Sequence, residues 1–393
     1  MSDIPALYDR IAAAASMEGE DAAVRITATY EPAGGPGDKV SPPTYPVGDE
    51  KTLPYLFEER WGSDGEVEKV VLLDSRQAQA NRCEEALQAE VDAGRLALPH
   101  LVLRTEAHGT PIRITSLQAP HRSRDAYFRD AITPEGTAFD KTPVGGSLKA
   151  VRPEDAGALF RHAPTDLVYG VWDSHRKLRL APRFPRIYTS EVIGHGALGG
   201  RRAAGRSDLL VSGARKVKEA DDATWVAGDG TKGTRLSELG HGSIPPSEGT
   251  SRGRGPGGVL VRSIGRTASL GFAGLARVTL GPDASPEIDR AARAVLASLA
   301  LLGDRLAFGA PAVFLRSGCE LVLISEVLTF VGRRRTDGLE LDRADARALV
   351  VHAVERAAAA GASWVPEPVA LRPNPELQKV IDESFFSAPG DDE

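Results

Sequence analysis

"VEKVVLLDSRQAQANRCEEAL", residues 67 to 87, joins an apolar run to a helix start with almost nothing between them. Val67 to Leu73 reads as a strand, and Asp74-Ser75 supplies side-chain oxygens able to cap the first turn of a helix. Beyond them Ala80, Cys83, Leu87 and Val91 recur at helical spacing and form an apolar stripe. Ser75, Gln79 and Arg82 gather on another side, at steps of four and three residues. Gly94 closes the helix. A helix that opens directly on a strand end presents free N–H groups and the positive end of its dipole, both suited to an anion. The same residues also make an ordinary N-cap with a solvated polar face. This stretch alone does not separate the two readings.

Upstream, "AAVRITATYEP" (22–32) alternates Val24, Ile26, Ala28 and Tyr30 with polar residues, the period of a half-buried strand. From about Leu101 to Gly258 the pattern is irregular, with short strands, many glycines and prolines, and basic clusters. Regular patterning returns with "GGVLVRSI" (257–264) and "LARVTL" (275–280). Ser285-Pro286-Glu287 then opens a helix with the cap first and proline in the first turn, and Ile288, Ala291, Val295, Leu299 and Leu302 give it a buried face. "CELVLISEVLTFVG" (319–332) reads as a strand and "RADARALVVHAVERAAAAG" (343–361) as an Ala-rich helix. Strand and helix thus alternate at both ends around a long irregular insertion. That is the outline of an α+β split sandwich, a sheet covered by helices. The expected division is residues 1–106, an inserted basic region 107–254, and residues 255–393 with a C-terminal helix.

The 393 residues suffice for a substantial core, and two cysteines are too few for a disulfide framework, so a reducing cytoplasm is expected. The N-terminus lacks the basic and apolar segments of a signal peptide, and the apolar run at 294–303 is too short to span a bilayer. The net charge of −6 hides an asymmetry. Residues 176–266 hold seventeen Lys/Arg and eight Asp/Glu, a net of +9, and the remainder of the chain is left at −15. Since fields are screened beyond about 8–10 Å at physiological salt, the local excess is what a partner meets. It fits an anionic polymer tracked along one surface, subunits meeting basic side to acidic side, or a solvated charged region.

Enzyme signatures are weak. "GDGTKG" (228–233) matches a G-x-G-x-x-G string without strand–turn–helix context, and neither a phosphate-binding loop nor a nucleophile elbow occurs. The eight histidines are scattered and neither cysteine has a second ligand at zinc spacing, so no metal and no cofactor is expected. His121 and Asp125 could pair as a base and its orienter, or as a solvated ion pair. The basic stretches say more. "APHRSRDAYFRDA" (119–131) sets Arg122, Arg124 and Arg129 around Tyr127 and Phe128, an arrangement able to neutralise phosphates and stack bases, or to place two aromatics in a core. Arg183 and Arg186 precede a strand, while "GGRRAAGR" (199–206) and "TSRGRGPGG" (250–258) carry arginines on glycine-rich loops.

Four segments in order carry a resemblance: "LDSRQAQANRCEEAL", "APHRSRDAYFRDA", "YGVWDS…PRFPRIYTSEVIGHGA" and "LSELGHGSIPPSEG…GGVLVRSIGR". Together they resemble the backbone subunit of the type I-G (formerly I-U) CRISPR Cascade surveillance complex. The resemblance implies a RAMP-type protein, with a ferredoxin-like or RNA-recognition-like palm, inserted fingers and a thumb hairpin. Copies would stack along the spacer of a CRISPR RNA, hold its sugar–phosphate backbone and present its bases to invading DNA. It implies no catalytic residue in this subunit, and as partners the CRISPR RNA, target DNA through the guide, other copies and other Cascade subunits, with no membrane. The expected RNA-contacting residues are Ser75, Gln79, Arg82, Arg122, Arg124, Arg183, Arg186, Ser190, Arg201, Arg202, Arg252 and Arg254. Two competing readings are a metal-dependent ribonuclease of the same superfamily, using an aspartate such as Asp140 in "AFDKTP", and an assembly protein without nucleic acid.

Overall fold

The structure, a computed structural model, describes residues 3–46, 53–62, 64–173, 183–200, 208–209, 214–220, 224–226, 232–243 and 257–385. Among these the chain is a mixed α+β fold built on antiparallel sheets, as the alternating pattern predicts. The period-two stretch at 22–32 forms β1 (Asp21–Pro32), with Val24, Ile26, Ala28 and Tyr30 buried and Arg25, Thr27 and Thr29 exposed. Its sheet also contains β2 (Phe57–Trp61), β3 (Val67–Asp74), β4 (Tyr188–His195), β5 (Ser263–Gly271), β6 (Ala312–Phe314), β7 (Glu320–Gly332) and β8 (Arg335–Leu339). The order is β6-β7-β1-β5-β4-β3-β2, and every pairing is antiparallel. β6 pairs with residues 320–322 of β7 and β8 with residues 328–332, so one edge is divided between two short strands. β2, at the other edge, is five residues long and reads Phe-Glu-Glu-Arg-Trp. Residues 188–195, from the stretch that the sequence reading treats as inserted, supply β4 within this sheet.

Four helices share a core with the buried side of the sheet: α1 (Ile4–Ala14), α2 (Arg76–Asp92), α3 (Pro286–Phe308) and α4 (Arg343–Ala360). Each begins as its sequence dictates. Ser75, Ser285 and Asp342 are N-caps, their side chains accepting the N–H of Ala78, Ile288 and Asp345. Gly361 ends α4 at φ 100°, a left-handed turn that a β-carbon disfavours. α3 packs against α1, α2 and α4 and is buried almost all round from Ala291 to Arg305. Small residues permit that crowding. A β-carbon on Gly303 would stand 2.2 Å from the Tyr169 hydroxyl and 3.2 Å from Cys83 Cβ. Replacing this glycine would therefore force the helices apart, a change that typically costs about 1–3 kcal/mol.

A second sheet joins residues 110–115, 101–107, 369–373 and 131–132, with 369–373 parallel to 101–107. A third, small one (216–220, 224–226 and 234–235) lies with Arg215, Lys218, Lys232 and Arg235 exposed, one part of the basic middle. Among the described residues no helix is long and apolar enough to cross a membrane. Cys83 and Cys319 are buried free thiols.

Candidate nucleic-acid interface

The polar side of α2 turns inward. Asp74, at the end of β3, is buried, and its carboxylate accepts hydrogen bonds from Gln79 Nε2 (2.5 Å) and Arg82 Nε (2.7 Å). Gln79 Oε1 in turn accepts from Ser190 Oγ of β4 (2.7 Å) and Arg266 Nε of β5 (3.2 Å). Arg266 reaches Tyr188 Oη (2.8 Å) and pairs with Asp304 of α3, both charges being fully buried. Asp304 also takes the Tyr188 hydroxyl at 2.5 Å and Arg305 Nε at 2.9 Å. Burial alone would raise the Asp304 pKa, but the Arg266 and Arg305 charges outweigh it and hold the carboxyl below the usual range. A chain of polar contacts thus runs from the helix start through two strands to the central helix. Charges this deep persist only when paired.

Gln79 and Ser190, expected to contact RNA, are 0% and 1% exposed and hydrogen-bonded to protein groups. Ser75 is the N-cap of α2. Arg82 is mostly buried and spends its guanidinium on Asp74 and the Phe314 carbonyl (2.9 Å). Arg122 and Arg124 are turned inward as well. Arg122, at φ +53°, makes a bidentate pair with Glu84 of α2 (2.6 and 2.8 Å) and donates to the Gly170 carbonyl at 2.9 Å. Arg124 donates to the Leu148 carbonyl at 2.6 Å and lies 3.7 Å from Asp173. Phe128 is in the core with Tyr127 against it, and Asp125 accepts the His121 backbone N–H while capping the turn at 126–129. Arg201, Arg202, Arg252 and Arg254 lie outside the described residues.

Arg183 and Arg186 do face outward. They belong to a ledge beside the N-terminus of α2. Residues 171–172 and 183–184 pair as a short antiparallel ribbon, Val171 opposite Phe184 and Trp172 opposite Arg183. Val171 and Phe184 are buried, so the alternation sends Trp172 and Arg183 outward together. The Arg183 guanidinium carbon lies 5.6 Å from the Trp172 ring centre, within cation–π range. Gly170, at φ +84°, leads into the ribbon, and a β-carbon there would come within 3.0 Å of Arg186 Cγ and of its backbone nitrogen. Arg186 therefore leans its stem on a position that must be glycine. Its pKa is lowered, first by that partial burial and then by the neighbouring Arg122 and Arg76 charges. Arg76, the first residue of α2, has a side chain 58% exposed and sits 3.4 Å from Glu191, which Arg60 also binds at 2.8 Å. Arg76 and Trp172 are not among the expected residues, although Arg76 follows the Ser75 cap and Trp172 lies two residues after Gly170.

Arg183 and Arg186 are exposed cations, Arg186 near Arg122, and Arg76, paired with Glu191, adds to the positive field of a helix N-terminus. Residues 24–198 match the family model of CRISPR-associated protein GSU0053 (Cas_GSU0053). Over that span the chain is similar to a CRISPR-associated family, which supports a role in CRISPR defence. The matched span contains α2 and the whole ledge. No curated protein matches the chain.

Proposed function

We propose that this chain is the RNA-binding backbone subunit of a type I-G Cascade complex. Its large sheet with the helices of one face serves as the palm, and the basic middle of the chain supplies fingers and thumb. Copies stack along the spacer of a CRISPR RNA, hold its sugar–phosphate backbone, and leave its bases to pair with invading DNA, beside the other Cascade subunits. The subunit itself is no nuclease. The observation that carries this reading is the ledge: Arg183 and Arg186 exposed on it, with Arg76 at a helix start close enough to act on the Arg186 charge, inside the span similar to a CRISPR-associated family. Contacts of this kind neutralise phosphates and carry no base information, as a guide of any sequence demands. Buried Gln79, Ser190, Arg122 and Arg124 act here by holding α2 and the ledge in place.

The test is equilibrium binding of unrelated single-stranded RNAs across a salt series. Arg183→Ala and Arg186→Ala should each weaken binding by about the same factor for every sequence, and each lost phosphate contact should make the log–log salt slope shallower by about 0.7. A flat salt response of the wild-type chain would refute the reading. The ribonuclease alternative rests on Asp140, which lies 3.7 Å from Lys149 Nζ. It demands RNA cleavage with a divalent ion that Asp140→Asn abolishes.

A further inference from the structure

We propose that Trp172 is a nucleobase platform, on which one base of bound single-stranded RNA stacks while the adjoining phosphates are held by Arg183 and Arg186. The inference rests on the RNA-binding reading above and adds to it a contact with a base. Trp172 is 55% exposed, an unusual fate for the largest apolar side chain. The exposure is built in. Val171 and Phe184 anchor the two-stranded ribbon in the core, and the Glu84–Arg122–Gly170 contacts fix the chain where it enters. Trp172 is thus held from below with its indole outward, so little freedom is lost when a flat partner settles on it.

The surroundings select that partner. Arg183 lies across the ribbon from the indole, and Arg186 follows two residues beyond Phe184, so a polyanion is drawn to the spot and a planar group beside a phosphate finds both contacts at once. The other exposed tryptophans sit differently. Trp61 ends a strand carrying Glu58 and Glu59, and Trp225 meets His241 edge-on with ring centres 6.0 Å apart. Stacking is tolerant of base identity because every base has a π-face, and this fits a subunit that must accept any guide.

The experiment compares the full chain with W172A and W172F, using fluorescence anisotropy on oligoadenylate and on a phosphate–spacer strand of equal length without bases. Trp172→Ala should weaken oligoadenylate binding about tenfold, leave the salt slope unchanged and leave binding to the base-free strand as it was. Trp172→Phe should retain most of the affinity, because a ring remains. Equal loss on both strands would overturn the proposal, since the indole would then serve the backbone contacts or the fold. Unchanged RNA affinity with weakened self-association in sedimentation would also overturn it and make Trp172 part of an interface between copies. Wild-type chain that binds neither strand would refute the RNA reading itself, whereas RNA binding indifferent to Trp172 would refute this inference alone.

Discussion

Arg122 and Arg186 both fall in the expected inserted basic region, 107–254, and have opposite fates. Arg122 is locked on Glu84 and Gly170 with its side chain 10% exposed, while Arg186 stands outside, its charge opposed by Arg122 and Arg76. The interior set, from Gln79 through Arg266 and Asp304 to Arg122 and Glu84, converts charge into rigidity. The outer ledge keeps its charge available. Arginine content therefore says little about contact with a partner, and placement on the fold decides it.

The comparison breaks most visibly at Asp304. Removing this carboxylate strands Arg266, whose side chain is fully buried, and half of the Arg305 contacts. Asp304→Ala should cost on the order of 3–5 kcal/mol, read as a lowered urea midpoint or an insoluble chain. A loss under about 1 kcal/mol would mean that the interior charges are dispensable. Arg122→Ala comes next. It leaves Glu84 buried without its partner and should cost roughly 2–4 kcal/mol, with part restored by adding Glu84→Leu. The RNA salt slope of the surviving folded protein should stay as in wild type. A shallower slope would place Arg122 on a phosphate and erase the distinction between inner and outer arginines.

The smallest effect is a pH dependence. Glu90 of α2 is bound by Arg347 of α4 (2.7 and 3.0 Å) and by Arg95, and those hydrogen bonds hold its carboxyl at about 2. A carboxyl lowered in the folded state stabilises fully above its unfolded value near 4.3, and the contribution fades as pH falls toward 2. Arg347 and Arg95 are 35% and 54% exposed, so screening trims the gain to about 1–2 kcal/mol. Glu90→Gln should flatten the decline of melting temperature between about pH 4.5 and 2. An unchanged slope would show that α2 is held to α4 without this bridge.

Much of the architecture was legible because it is local. Alternation at 22–32, the caps at Ser75 and Ser285 and the glycine at 94 each act within a few residues, and each formed as read. The inward turn of the polar residues was not legible, because its cause is distant. Gln79 meets Ser190 across 111 residues and Arg266 across 187, and nothing near Gln79 announces either partner. Arg122 reads as a surface cation until Glu84, 38 residues earlier, is seen to await it. The outward placement of Arg183 and Arg186 follows from a position ahead of a strand that the sequence shows. Trp172 was passed over, because exposure depends on which face of a two-residue ribbon meets the core.

The main sheet ends on both sides in short pieces: strands of three and five residues against β7, and β2 with two glutamates and an arginine in its five. Long bare edges invite another chain to add itself by backbone pairing, and brevity and charge are how natural sheets refuse. On the proposed reading, in which many copies gather on one strand, safety from this matters especially. Its copies would sit side by side at high local concentration, where an open edge would seed irreversible aggregation. With the margins blunted, the association proposed above would fall to side chains, which a template can order and whose contacts lapse when the template is gone.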